Sequence, residues 1–145
     1  MKFHTEKGSI DFFVTQLIQS GFTSVDCTQV TDKYCYYDIQ AEYNNKKCRF
    51  ELKRRDMTSD KYGDSVLELS KYANFIEDIV NEKIYKGFVV SFFDDIYTID
   101  DITHNHFVDQ KKAPATTEFE NTNKKNKWFV HYQQEKKFQY LKKIK

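Results

Sequence analysis

Apolar residues recur along this chain with two different periods, and the changes of period mark out its elements. Near the N-terminus Ile10, Phe13, Val14, Leu17 and Ile18 fall at i, i+3, i+4, i+7 and i+8, the stripe of an amphipathic helix. Gly21 follows as a left-handed terminator. Residues Thr23 to Val30 are a candidate first strand, although Asp26 and Gln29 interrupt its apolar character. From Tyr34 to Tyr43, and again from Lys46 to Asp56, the period falls to two. Tyr37, Ile39 and Ala41 alternate in the first stretch, and Cys48, Phe50 and Leu52 in the second. Alternation of this kind buries one face of a strand and leaves the other polar. Asn44-Asn45 between them supplies the two positive-φ residues of a tight hairpin turn.

A two-residue turn sets the register. It puts Ala41 opposite Cys48, Ile39 opposite Phe50 and Tyr37 opposite Leu52, so the apolar faces match. On the polar face Glu42 meets Lys47, Gln40 meets Arg49, and Asp38 meets Glu51. A four-residue loop would set Asp38 opposite Lys53 instead, and either register gathers Asp38, Glu51 and Lys53. Opposed like charges on a sheet are unfavourable by up to about 1 kcal/mol. They become tolerable when a divalent cation lies between them, or when one carboxyl stays protonated. Two carboxylates, a hard cation such as Mg2+ or Mn2+, and a lysine on the same side of the strand form a phosphodiester-cleaving set. On spacing alone, an ordinary solvated strand face with alternating charge explains the same letters equally well.

Downstream, Asp56 to Asp64 reads as a loop containing Gly63. A second helix is expected from Ser65 to about Asn81, with Val66, Leu69, Tyr72, Ala73, Ile76, Ile79 and Val80 on its stripe and Lys71 beside it. Gly87 opens an apolar run, Phe88 to Phe93, with the density of a buried strand. Asp94-Asp95 marks a turn, and Ile96 to Ile99 returns as an antiparallel partner. Further on, Pro114 and Thr116-Thr117 suggest a loop entering a short strand, Trp128 to Tyr132 reads as another strand, and a lysine-rich segment follows. The fold class expected is α/β, a mixed central sheet flanked by helices.

Asp38, followed thirteen residues later by Glu51-Leu52-Lys53 on consecutive strands after an amphipathic helix, resembles the PD-(D/E)XK nuclease superfamily. The likeness runs over residues 4–102, through Arg55 and Tyr62 into the helix carrying Lys71, and is to small phage-type and Holliday-junction-resolvase-like members. It implies a restriction-endonuclease-like core and metal-dependent hydrolysis of DNA phosphodiester bonds. Asp38 and Glu51 would hold Mg2+ or Mn2+ with help from the Leu52 carbonyl, Lys53 would serve the attacking water and the charged transition state, and Arg55 and Lys71 would contact phosphate. Two departures stand out. No proline precedes Asp38, and the helix-1 glutamate of many members has only Glu6 or Asp11 as counterparts.

Composition sets outer limits. A chain of 145 residues is the size of one domain, here taken as 1–145 with 103–145 as a basic extension on or near the core. Thirteen phenylalanines and ten tyrosines exclude a disordered chain. Cys27, Cys35 and Cys48 lack zinc-ligand spacing, and the odd count argues against a disulfide framework. His104 and His106, with no third ligand nearby, read as exposed rather than metal-binding. No apolar run approaches the roughly 20 residues a membrane span needs, no hydrophobic leader opens the chain, and no glycine-rich phosphate loop or GxSxG turn is found. A cytoplasmic protein with no small-molecule cofactor is expected.

The net charge of +1 hides an uneven distribution. Phe88 to Gln110 holds five aspartates and no lysine or arginine, whereas Asn121 to Lys145 holds eight lysines against one glutamate. Lysines of that tail, Lys124, Lys125 and Lys127 among them, are candidate DNA phosphate contacts. Its aromatics, Trp128 and Phe129 included, read mainly as inward-packing residues. The competing expectation is a nuclease-fold module that binds nucleic acid or a protein without chemistry, since a fold does not fix a function. Symmetric cutting of two strands would call for a homodimer.

Overall fold

Helix α1 (Glu6–Gln19) forms on the predicted stripe, with Phe13 and Leu17 fully buried and Ile18 at its margin, 58% exposed. Its end is a Schellman motif: the Phe22 N–H donates to the Leu17 carbonyl at 3.0 Å and the Gly21 N–H to the Ile18 carbonyl at 3.1 Å. Gly21 sits at φ 94°, a conformation that favours a residue without Cβ. The computed structural model describes residues 6–32, 34–55, 64–93, 97–102, 106–114 and 124–133.

After α1 come the strands β1 (Thr23–Asp26), β2 (Ile39–Tyr43) and β3 (Lys46–Arg54). A second helix, α2 (Leu69–Val80), leads into β5 (Lys86–Phe92) and β6 (Tyr97–Asp101). These strands make a mixed five-stranded sheet in the order β1-β2-β3-β5-β6. Its β3–β5 pair is parallel and the others are antiparallel. The fold is therefore α/β, a mixed central sheet with a helix on each face. A smaller antiparallel sheet in the order β4-β8-β7 joins β4 (Asp64–Glu68) to β8 (Lys124–Gln133) and β7 (His106–Pro114).

The hairpin takes the two-residue register. Ala41 pairs with Cys48, Ile39 with Phe50, Gln40 with Arg49 and Glu42 with Lys47. Asn44 and Asn45 have φ of 50° and 63°, as a turn matching the strand twist requires. Arg54 is exposed at the end of β3, where the ladder stops.

Two cores result. Against α1 lie Ile39, Ala41, Cys48, Phe50, Phe88, Val90, Phe92 and Ile99. Around Phe75 of α2 lie Leu67, Ile84, Val89 and Ile102. The Phe75 ring occupies the space above Gly87: a Cβ built there would meet Phe75 Cε1 at 2.8 Å and Ile102 Cδ1 at 3.2 Å.

Several expected boundaries move. Strand β1 stops at Asp26 because its carboxylate folds back, accepting from the Thr28 N–H at 3.0 Å, the Thr28 hydroxyl at 2.8 Å and Gln29 Nε2 at 3.2 Å. The chain then turns through a 3₁₀ segment, Thr28–Thr31, in place of the expected strand. Strand β2 starts at Ile39, not Tyr34, and Tyr37 does not enter the ladder opposite Leu52. Tyr36 and Tyr37 both pack against the α2-side core, which period-two alternation cannot accommodate. Helix α2 begins at Leu69 rather than Ser65, because Asp64–Glu68 pairs with β8. Its buried residue is Phe75, outside the predicted stripe, while Ala73 and Val80 are exposed. His106 opens strand β7 instead of lying on a loop, and Pro114 closes that strand. His104, Tyr62, Gly63, Asp94-Asp95, Ile96, Thr116-Thr117 and the final lysine-rich segment lie outside the described residues.

Candidate functional site

The expected polar face of β3 is not solvated. Helix α2 crosses it, running opposite to β3, and two charged β3 residues beneath the helix, Arg49 and Glu51, find helical partners. Arg49 Nη1 lies 2.6 Å from Asp78 Oδ2, and two turns earlier on the helix Lys71 Nζ lies 3.1 Å from Glu51 Oε2. Glu51 is only 5% exposed.

Asp38 arrives at this corner by a side-chain substitution in the ladder. Its N–H donates to the Phe50 carbonyl at 2.9 Å, and its Oδ2 accepts the Leu52 N–H at 2.8 Å. The carboxylate thus takes the place of the strand partner that β2, starting only at Ile39, does not provide. Within a strand a residue's N–H and C=O point to the same side. The Leu52 carbonyl therefore faces the side on which Asp38 sits, an oxygen donor beside a carboxylate.

The electrostatics follow from this enclosure. Burial pushes the Glu51 carboxyl up to about 7, and the neighbouring Asp38 charge adds to the rise, while Lys53 and Lys71 oppose it. Lys53 is held below the usual lysine range by burial, then by the Lys71 and Arg55 charges, against the pull of Glu51 and Glu68. In Lys71 burial works downward, but Glu51 foremost, with Glu68 and Asp38, lifts the ammonium above its ordinary value. Two acids, two lysines, Arg55 and Glu68 therefore act on one another in a small volume. The Arg55 N–H donates to the Phe92 carbonyl at 2.8 Å, tying the end of β3 to β5.

Asp38, Glu51, Lys53, Arg55 and Lys71 are thus brought together. Asp11 is exposed on α1, across the sheet from α2, and among the described residues nothing joins it to the cluster. Glu6 is the first residue of α1, and its side chain lies outside the described residues. Lys124, Lys125 and Lys127 lie on β8, in register with Pro114, Ala113 and Lys111 of β7.

Other polar residues near the site were not anticipated. Ser91 is the Cα partner of Lys53 and of Thr98, and Val89 of Glu51 and of Asp100, so polar Ser91, Thr98 and Asp100 continue the same face. All three are buried. A serine among phenylalanines and valines, and polar residues alternating with Tyr97 and Ile99, carried the signal. Beside them Tyr36 donates to Asp78, and Arg49 Nε donates to Gln40 Oε1 at 2.9 Å. The Arg49 guanidinium sits 4.5 Å from the Tyr37 ring centroid.

The donor chemistry fits a hard cation. Two carboxylates and a main-chain carbonyl are oxygen ligands of the kind Mg2+ and Mn2+ take, and a cation would relieve both the burial of the Glu51 charge and the repulsion from Asp38 that together raise it.

The chain matches no described protein family, and no curated protein is significantly similar to it. Among solved structures it is similar to a Holliday junction resolvase, Hjc, of the archaeal hyperthermophile Archaeoglobus fulgidus. The two share 14% sequence identity and superpose with a TM-score of 0.51, over 82% of this chain and 78% of the resolvase chain. The shared architecture is resolvase-like and restriction-endonuclease-like.

Proposed function

We propose that this protein is a divalent-metal-dependent endonuclease that hydrolyses phosphodiester bonds in DNA. The observation that carries the reading is the Asp38–Glu51 corner: a carboxylate only 5% exposed, acted on by the charge of a second one and by Lys53 and Lys71. A buried carboxylate beside a second acid costs stability and has no packing role, whereas a buried acid with perturbed protonation is characteristic of reactive sites. The resolvase-like fold supports the same reading.

Asp38, Glu51 and the Leu52 carbonyl would hold Mg2+ or Mn2+. When bound, such an ion supplies Lewis-acid polarisation of the phosphate and a more acidic water. The Leu52 N–H fixes one Asp38 oxygen, leaving the other free to turn toward the ligand. Lys53, held below the usual lysine range, is suited to orient the attacking water, exchange a proton with it and offset charge growing on the phosphate. Lys71 and Arg55 would contact the phosphate.

The test is an assay with branched, single-stranded and linear duplex DNA, in Mg2+ or Mn2+ and in chelator. Wild type should cut only with metal, and Lys53→Ala and Glu51→Ala should each reduce the rate by at least about 10²–10³-fold. DNA binding without cutting, unchanged by either substitution, would leave a binding module and remove the catalytic reading. A lag in double-strand cutting that disappears at high protein concentration would indicate a second copy acting on the other strand.

A further inference from the structure

Strand β8 pairs with β4 only from Phe129 to Gln133, yet it pairs with β7 along nine residues, from Lys124 to Tyr132. Over the five pairs from Gln110↔Trp128 to Pro114↔Lys124, β7 and β8 form a two-stranded ribbon with no third strand among the described residues. Those ten positions hold Lys111, Lys112, Lys124, Lys125 and Lys127, and no acid. The register sets Lys111 directly across from Lys127, an unfavourable opposition of like charges.

The ribbon starts beside the catalytic corner. Phe129, where the β4 ladder ends, is the Cα partner of Glu68. Glu68 immediately precedes α2, and its charge acts on both Lys53 and Lys71. The basic ribbon thus leaves the small sheet one residue beyond the level of the site.

Resting on the nuclease reading, we propose that this β7–β8 ribbon is a duplex-DNA grip that enters the major groove next to the cleavage site. Alternation divides its lysines between both faces: Lys111, Lys125 and Lys127 on one, Lys112 and Lys124 on the other. Contact with a flat anionic surface would use one face. A groove bounded by two phosphate backbones uses both, and the major groove of B-DNA admits a two-stranded β-ribbon. Five paired residues span roughly 17 Å at about 3.4 Å each, enough to cross that groove.

The test measures equilibrium binding of a 30-base-pair duplex to the full chain in chelator, by fluorescence anisotropy over a series of salt concentrations. A variant with all five ribbon lysines changed to glutamine is compared with wild type and with Lys46→Gln/Lys47→Gln/Lys83→Gln, three lysines at the hairpin end of the molecule. The ribbon variant should bind at least tenfold more weakly at about 100 mM salt. Its log–log salt slope should flatten by about 0.9 for each phosphate that the lysines no longer neutralise, with little change in the control. If the five-fold variant fails to fold by circular dichroism, Lys111→Gln/Lys127→Gln, which removes the opposed pair, carries the comparison. Unchanged slope and affinity in a folded variant overturn the grip while leaving the nuclease reading intact, as does self-association of the variant without loss of DNA affinity. Equal competition by duplex RNA, whose major groove is too narrow to enter, overturns groove insertion. Failure of wild type to bind the duplex overturns the grip, while the nuclease reading falls only if the cleavage assay also fails.

Discussion

The Leu52 N–H donates to Asp38 Oδ2 at 2.8 Å, so one carboxylate both closes the end of the β2–β3 ladder and stands beside Glu51. Substitution separates the two roles. Asparagine keeps an oxygen acceptor but loses the charge; alanine loses both. Asp38→Asn should leave the unfolding midpoint nearly unchanged and abolish metal-dependent cutting. Asp38→Ala should also destabilise by about 1–2 kcal/mol, since the Leu52 N–H loses its partner. Urea unfolding beside the cleavage assay checks both. Equal stability of the two variants would show that the hydrogen bond does not support the fold.

Protonation of Glu51 couples the site to stability. Its carboxyl is raised from 4.5 to about 7 in the folded chain, first by burial and then by Asp38. Between those values the folded state binds more protons at Glu51 than the unfolded one, so the contribution of Glu51 to the stability of metal-free protein falls as pH rises from about 4.5 to 7, then levels off. The full contribution is on the order of 3 kcal/mol. Glutamine cannot titrate, so the difference in unfolding free energy between wild type and Glu51→Gln should shift against wild type across that interval. A pH-independent difference would contradict the raised value.

Metal binding must reverse this trend. A cation needs Glu51 ionised, so Mg2+ or Mn2+ should stabilise the protein more at pH 8 than at pH 5.5, by RT ln(1 + [L]/Kd) with a lower apparent Kd at the higher pH. Thermal melting with and without metal at both values measures it. A larger shift at pH 5.5 would exclude Glu51 as a ligand.

Gly87 is demanded by the Phe75 ring lying over it. Gly87→Ala should cost about 1–3 kcal/mol through displacement of that ring and of α2. Combining it with Phe75→Leu should cost less than the two changes summed. Strict additivity in denaturant melts would mean that the ring moves aside freely.

Asp78 joins Arg49, Tyr36 and the more distant Lys83 beneath and beside α2. Asp78→Ala leaves a half-buried guanidinium without its carboxylate and should destabilise by about 2–4 kcal/mol. Tyr36→Phe removes only a hydroxyl and should cost about 1 kcal/mol. Reversal of that order, read from urea midpoints, would place the stabilising contact elsewhere.

Local pattern was sufficient where neighbours in sequence are neighbours in space. The α1 stripe, Gly21, the Asn44-Asn45 turn and the β2–β3 register followed from side-chain period and φ preference alone. They place Asp38 against Glu51. The start of α2 did not follow, because residues 64–68 have a helix-compatible pattern and become a strand only by pairing with β8, more than sixty residues away. The predicted stripe does face the core through Leu69, Tyr72, Ile76 and Ile79, and Phe75, in period with them, was missed: its full burial comes from the space that Gly87 leaves beneath it.

The sequence by itself therefore determined that Asp38, Glu51 and Lys53 gather, since hairpin register is a short-range property. Only the tertiary structure decided what their meeting does. Helix α2, carried over β3 by the crossover to β5, removes Glu51 from water, sets Lys71 on it and turns an apparently solvated strand face into an enclosed acid–lysine cluster. Burial raises the free-energy cost of a charge far more than any neighbour along the chain can, and burial is a property of the packed whole.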